Sequence, residues 1–364
     1  MKVAIIHYWL TNMRGGEKML ESLLELYPQA DIYTHVYNPR AVSKAISSKK
    51  IITSKINRLP FAKKMYQVYM PLMPKALLDF NLQEYDLIIS SEAGPAKGVV
   101  ANPNAYHICY CHSPMRYLWD MYHEYKQNAN PIVKFFMRIY TPSLRIWDIT
   151  SANLVDRFIT NSNYTAKRIR RYYNREAQVV FGPVPIEQYT NVNRNPSDFY
   201  LFFGQITSYK RVDIALEACD KTNRKLIIAG AGAEKKLIKK YKKNKLITFR
   251  GRVSNDELLL LFSQARALLY PGIEDMGLIP IEANAAGCPV IAYRDGGALD
   301  TIKENATGLF FNEQTPDSLI NAMDFFEKEN LFNNRSDFNE HVKQFSKASF
   351  IDRVSAVINE RKRI

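Results

Sequence analysis

Residues 266–301 read RALLYPGIEDMGLIPIEANAAGCPVIAYRDGGALDT, and the order of elements in this stretch decides the fold. A short apolar run, Ala267–Tyr270, has the length and composition of a buried strand. A helix begins near Gly277, and Pro289–Ala292 reads as the next strand. Glu274 falls in the loop before the helix and Glu282 in its second turn, with seven residues between them. Free backbone N–H groups at such a helix start favour phosphate. Carboxylates beside a phosphate would repel it, so the pair suits the hydroxyls of a sugar or a ribose. An ordinary helix entry also carries acidic residues, because the helix dipole favours them there. Both readings stay open on this stretch alone.

The same alternation extends in both directions. In the first half, strands are expected at Val3–Trp9, Asp31–Val36, Tyr85–Ser91, Tyr106–Cys111, Arg157–Thr160 and Gln178–Phe181, with a helix over Gly16–Tyr27. Gly182-Pro183-Val184-Pro185 and the polar run Thr190–Ser197 then break the pattern as a linker would. It restarts with Tyr200–Phe203, Leu226–Ala229, Leu246–Phe249, Ala267–Tyr270, Pro289–Ala292 and Gly308–Phe311. Short β-branched runs separated by helices indicate parallel sheets covered on both faces. The expected fold class is α/β with two facing Rossmann-like, doubly wound domains and a cleft between them, since ligands sit at the carboxyl ends of such strands. The domains are expected over residues 1–185 and 196–346, with a helix over 347–364 crossing back to the first.

Composition agrees with a folded, two-domain chain. It has 364 residues, 46% hydrophobic and 24% charged. No run approaches the roughly 18–20 apolar residues of a membrane span. The start, MKVAIIHYWL, lacks a small-residue cleavage site after its apolar run and is expected to be a first strand, which makes the cytoplasm the default compartment. Cys109, Cys111, Cys219 and Cys288 show no zinc spacing and are expected as buried thiols. The net charge of +14 is uneven: residues 1–180 hold 24 Lys/Arg against 13 Asp/Glu, or +11, and the remainder 26 against 23, or +3. A basic first half implies an anionic partner. No nucleic-acid-binding module is found. The segment 51–80, basic and rich in Met, Tyr, Phe and Leu, fits either an anionic membrane surface or a partly buried irregular helical segment. The lysine-rich stretch Lys235–Lys245 reads as a solvated face.

Several positions carry candidate chemistry. Gly15-Gly16 opens the first helix, where glycine admits a ligand close to the backbone, although this is not the dinucleotide fingerprint. Gly204 and Gln205 end a strand and are followed by Lys210-Arg211, two cations placed to meet a diphosphate. Gly230 ends the next strand with the same backbone logic. His112 follows the strand ending at Cys111, with Arg116 and Asp120 nearby. A turn role for the glycines, a solvated role for the cations and a structural role for the histidine are equally consistent with these positions.

Taken together, HYWLTNMRGGEKMLE from His7, CHSPMRYLWD from Cys111, SYKRVDIALEA from Ser208 and PGIEDMGLIPIEANAAGCPVIAYRDGGALDT from Pro271 resemble the family-four retaining glycosyltransferases of the GT-B fold. The resemblance covers nearly the whole chain and is greatest to the bacterial O-antigen mannosyltransferases, the WbaZ-like subgroup. It implies transfer of a hexose, mannose from GDP-mannose, to a polyprenyl-diphosphate-linked oligosaccharide at the inner face of the plasma membrane. UDP-sugars are the alternative donors, and a catalytically silent scaffold is the alternative class. Glu274 would contact the donor sugar and Glu282 the ribose, while Lys210 and the N–H groups around Gly277-Leu278 would hold the diphosphate. Gly16 would approach the donor phosphate, His112 would lie near the reacting centre, and Arg252-Val253 would line the base. Tyr8, Arg116 and Asp120 fall on the acceptor side. Neither a metal nor a cofactor is expected. Three positions depart from the family pattern: Gln205 replaces an arginine, Tyr8 an aspartate, and Met276 a phenylalanine.

Overall fold

The computed structural model describes residues 1–232, 235–329, 332 and 334–360. The chain forms two compact units, residues 1–183 together with the segment from Phe350, and residues 184–349. In the first unit seven strands make one sheet: β1 Val3–His7, β2 Asp31–Thr34, β3 Ile51–Thr53, β4 Leu87–Glu92, β5 Tyr106–Cys111, β6 Arg157–Thr160 and β7 Ala177–Val179. Their order is β3-β2-β1-β4-β5-β6-β7 and every pairing is parallel. All residues of β1 and β4 are buried, as expected of central strands with helices on both faces.

The second unit repeats the plan with β8 Tyr200–Phe203, β9 Leu226–Ala229, β10 Ile247–Gly251, β11 Leu268–Tyr270, β12 Val290–Tyr293 and β13 Gly308–Phe311. Its order is β10-β9-β8-β11-β12-β13, again parallel. In both sheets the chain leaves the first strand toward one edge and returns on its other side. The carboxyl ends of β1/β4 and of β8/β11 are therefore topological switch points, where such folds bind ligands.

Two features differ from the sequence reading: the edge strand and the place of the polar run. Ile51–Thr53 is an edge strand paired with β2, too short to announce itself by alternation, and residues 55–79 fold into short helical turns. The polar run read as a linker packs on the second unit. There the Arg194 guanidinium donates to the carbonyls of Phe262 (2.8 Å), Ala265 (2.7 Å) and Arg266 (2.9 Å). The helix Lys347–Glu360 inserts Phe350, Val354, Val357 and Ile358 into the core formed by Leu20, Leu23 and Tyr110 of the first unit. All four cysteines are free and buried.

A fully buried charge cluster braces the first unit. Lys97 Nζ lies 2.6 Å from Glu92 Oε1 and also contacts Asp148 Oδ1. Asp148 in turn accepts from Trp119 Nε1 (2.8 Å) and the Tyr173 hydroxyl (3.0 Å). Burial alone would lower the lysine's pKa, but Asp148 and Glu92 outweigh it and hold the ammonium firmly protonated. The cluster ties β4 to the long helix Pro131–Ser151 and to the loop after β5.

Candidate active site

Lys210 and Glu274 meet at the switch point of the second sheet. After β8 the chain passes Gly204, whose φ of +140° is a left-handed value suited to glycine, into the turn Ser208–Lys210. After β11 it runs through Gly272, whose Cα hydrogens face the Lys210 backbone: a Cβ there would stand 2.7 Å from Lys210 Cα. This close approach brings Lys210 Nζ within 2.9 Å of Glu274 Oε1. The contact is ionic, since Glu274 Oε1 accepts no aligned hydrogen bond. Thr207, at the head of the same turn, has a buried hydroxyl without a hydrogen-bond partner.

The loop carrying Glu274 is set from behind by Gly296 and Gly297. Gly297 N–H donates to the Glu274 carbonyl at 2.8 Å, and a Cβ on Gly296 would stand 2.7 Å from that oxygen. Gly277, with φ +81°, then turns the chain into the helix Leu278–Ala285. The first N–H groups of any helix lack intrahelical partners, and this cap has no side chain to supply one. Met276 is buried. Glu282 is half-buried on that helix, and burial together with its carboxylate pushes the Tyr189 phenol well above its ordinary value.

The remaining second-unit candidates divide. Arg211 is turned to Asp213 (Nη2 to Oδ2, 2.9 Å) and to Gln314 (3.1 Å), while Gln314 donates to the Pro271 carbonyl (2.8 Å). Its guanidinium thus braces the β8 and β11 loops. Gln205 is exposed. Gly230 serves the backbone: with φ +139°, a Cβ would fall 1.8 Å from the Gly204 carbonyl oxygen. Arg252 is exposed and Val253 half-buried, just beyond β10.

The first unit has its own polar constellation at the β1/β4 switch point. Ser91 Oγ shares hydrogen bonds with His7 Nδ1 (2.9 Å) and with His112 Nε2 (3.0 Å). Behind His7, Glu17 Oε1 lies 3.6 Å from Nε2. Glu17 also accepts the Arg14 N–H (2.8 Å), which anchors the start of the helix Gly15–Leu26. Gly16 is covered by Tyr8: a Cβ at Gly16 would stand 2.3 Å from the tyrosine hydroxyl. Asp120 accepts from Arg168 Nη2 (2.6 Å), and Arg168 also donates to Ser113 Oγ (2.9 Å). Arg116 Nη1 lies 3.8 Å from Met121 Sδ.

The sequence reading picked out Lys210 and Glu274, which meet at one strand-end region, and Gly277 and Glu282, which open and sit on the helix that follows. It missed Thr207, Tyr189, Gln314 and the polar cluster of His7, Glu17 and Ser91. Only the DGG motif after β12 offered a signal, for Gly296 and Gly297. Among the described residues no group of three or more His, Cys, Asp or Glu side chains is gathered as a metal site requires.

Two Rossmann-type sheets of this order define the GT-B class. A crystal structure of Anabaena HepE in complex with UDP superposes over 99% of this chain and 100% of its own, with a TM-score of 0.70 and 14% identity. The family model Glycosyltransferase Family 4 matches residues 13–188, and Glycosyl transferases group 1 matches residues 187–345. The chain belongs to these GT-B glycosyltransferases of group 1 and family 4. Among curated relatives, an uncharacterised glycosyltransferase of Methanocaldococcus jannaschii is 30% identical over 133 residues, 34% of each chain. A GDP-mannose-dependent alpha-(1-6)-phosphatidylinositol monomannoside mannosyltransferase of Mycobacterium tuberculosis is 35% identical over 85 residues, 21% of this chain and 22% of that one. The matched segments thus span about a third of the first relative and about a fifth of the second.

Proposed function

We propose that the chain is a retaining glycosyltransferase that moves mannose from GDP-mannose to a lipid-linked oligosaccharide, in bacterial O-antigen or capsule synthesis. The subgroup is the WbaZ-like one, and the protein works peripherally at the inner face of the plasma membrane. The observation that carries the reading is the Lys210–Glu274 pair at the β8/β11 switch point. A diphosphate entering there draws Lys210 away from Glu274, and the freed carboxylate accepts hydrogen bonds from sugar hydroxyls. Lys210, the Thr207 hydroxyl and the helix-start N–H groups after Gly277 stabilise charge as it builds on the departing diphosphate. In front-face displacement the leaving oxygen stays beside the sugar and takes the proton of the incoming hydroxyl, so the new bond keeps the old configuration. Glu282 holds the ribose. His112, oriented through Ser91, contacts the donor's hydroxymethyl group as the family resemblance implies.

Mannose and its guanine carrier draw support from the mycobacterial match, and uridine from the UDP held by HepE. The test is transfer from radiolabelled GDP-mannose to a lipid-linked acceptor, with the anomeric configuration of the product read by NMR. Lys210→Ala should lower kcat about 10²–10³-fold, as loss of one oxyanion donor does. An inverted product, or near-normal turnover in Lys210→Ala, defeats the mechanism.

A further inference from the structure

The helix Pro131–Ser151 leaves an apolar stripe uncovered. Its C-terminal half is rooted: Asp148 sits in the Lys97 cluster, Leu144 packs with Met115 and Leu118, and Arg145 Nε donates to the Leu118 carbonyl at 2.5 Å. Its first ten residues are all exposed or half-exposed. Ile132 is 70% exposed, Phe135 61%, Ile139 50% and Ile146 65%. These positions recur three, four and seven apart, so they form one stripe down a helix about 30 Å long. A continuous exposed stripe of this kind marks an interaction surface.

Charge decides what covers it. Besides the stripe, the helix presents Lys134 and Arg138, while Arg145 is turned to the Leu118 carbonyl and the one acidic residue, Asp148, is buried in the ion cluster. The exposed residues of the helix are therefore apolar, cationic or uncharged, with no acid among them. A second exposed run on the same unit, Phe61, Met65, Val68 and Leu72, is accompanied by Lys63 and Lys64. No described helix is long and apolar enough to cross a membrane. An apolar stripe with cations and no opposing acid is complementary to an anionic bilayer, on which such a helix lies in the plane of the headgroups.

We propose that the helix Pro131–Ser151 inserts its Ile132–Phe135–Phe136–Ile139 stripe into an anionic lipid surface. Through Asp148 and Arg145 it holds the loop that follows His112 at that surface. The purpose of this docking rests on the lipid-linked acceptor reading; its geometry does not.

The test is flotation of the full chain with phosphatidylcholine vesicles, with and without phosphatidylglycerol. The parent should float with the anionic vesicles and float less as salt rises. Phe135→Ser/Phe136→Ser/Ile139→Ser should reduce partitioning at least about tenfold. Lys134→Gln/Arg138→Gln should remove much of the salt-sensitive part, and Leu260→Ser, an exposed leucine of the second unit, should change nothing. A parental urea midpoint by tryptophan fluorescence, retained in every stripe and charge variant, shows that the first unit remains folded. Unchanged flotation of the triple variant overturns the proposal. So does a parent dimer that the triple variant abolishes, because a second copy then covers the stripe. Flotation that is lost with the stripe, in a protein indifferent to nucleotides, would support the docking face while sinking the transferase reading.

Discussion

Replacing Lys97 with methionine removes the cation shared by Glu92 and Asp148 inside the first unit. Methionine nearly preserves the volume, so the change acts through charge. Loss of one partner from a buried ion cluster costs about 3–5 kcal/mol, and here two carboxylates lose their counter-charge at once. Burial already holds the Glu92 carboxyl above its ordinary range, with Lys97 opposing and Asp148 adding to the rise. Without Lys97 the opposing charge is gone, and Glu92 takes up a proton at a higher pH still. A carboxyl whose pKa is raised in the fold gains stability as pH falls toward its unfolded value and loses it as pH rises through the folded one. The deficit of Lys97→Met relative to the parent should therefore be largest near about pH 8 and smaller near about pH 5.5. All three tryptophans, Trp9, Trp119 and Trp147, lie in the first unit, so their fluorescence in urea reports that unit alone. A deficit below about 1 kcal/mol, or one that does not change with pH, refutes this account of the cluster.

Three further outcomes follow from the packing and the buried histidines. Burial lowers His35 and His107 to about 4, and the unfolded chain takes protons first. The first unit should thus be fully stable above about pH 6.5 and lose about 3 kcal/mol per histidine toward pH 4, seen as a falling urea midpoint; a flat midpoint speaks against it. Gly230→Ala should lower the melting temperature of the second unit and abolish nucleotide stabilisation, because its Cβ collides with the Gly204 carbonyl; parental melting in that variant would show that the strand ends are not so closely apposed. Phe350→Ala should cost the first unit about 3–5 kcal/mol by tryptophan fluorescence, whereas an unchanged midpoint would mean the C-terminal helix lies outside that core.

Strand–helix alternation made both sheets legible, since buried parallel strands such as Val3–His7 and Leu268–Tyr270 are apolar runs that stand out from their surroundings. Edge strand β3 was hidden because three residues, Ile51–Thr53, are too few to show a period. Local motifs picked out Lys210 and Glu274 because both sit in loops that leave strand ends, and Glu282 because the helix carrying it follows the same loop. The polar cluster around Ser91 was illegible for the opposite reason: His7 and Ser91 are 84 residues apart and meet only through β1/β4 register. Arg211 shows a third limit. Its position beside Lys210 pointed to phosphate, yet Asp213 two residues on captures the guanidinium, and adjacency in sequence says nothing about where a long side chain turns. Gly230 likewise reads as ligand access in the sequence, while its actual constraint is the Gly204 carbonyl.

The central claim, that the β8/β11 switch point of the second unit is a nucleotide-sugar site organised around Lys210 and Glu274, is tested most directly by thermal-shift titration with GDP, UDP and their sugar conjugates. At about a hundred times its dissociation constant a ligand adds about 2.7 kcal/mol of stability. The account predicts saturable stabilisation by GDP and GDP-mannose, sharply weakened in Lys210→Ala. Stabilisation by UDP compounds alone would overturn the mannosyl donor, and nucleotide stabilisation undiminished in Lys210→Ala would contradict the site itself.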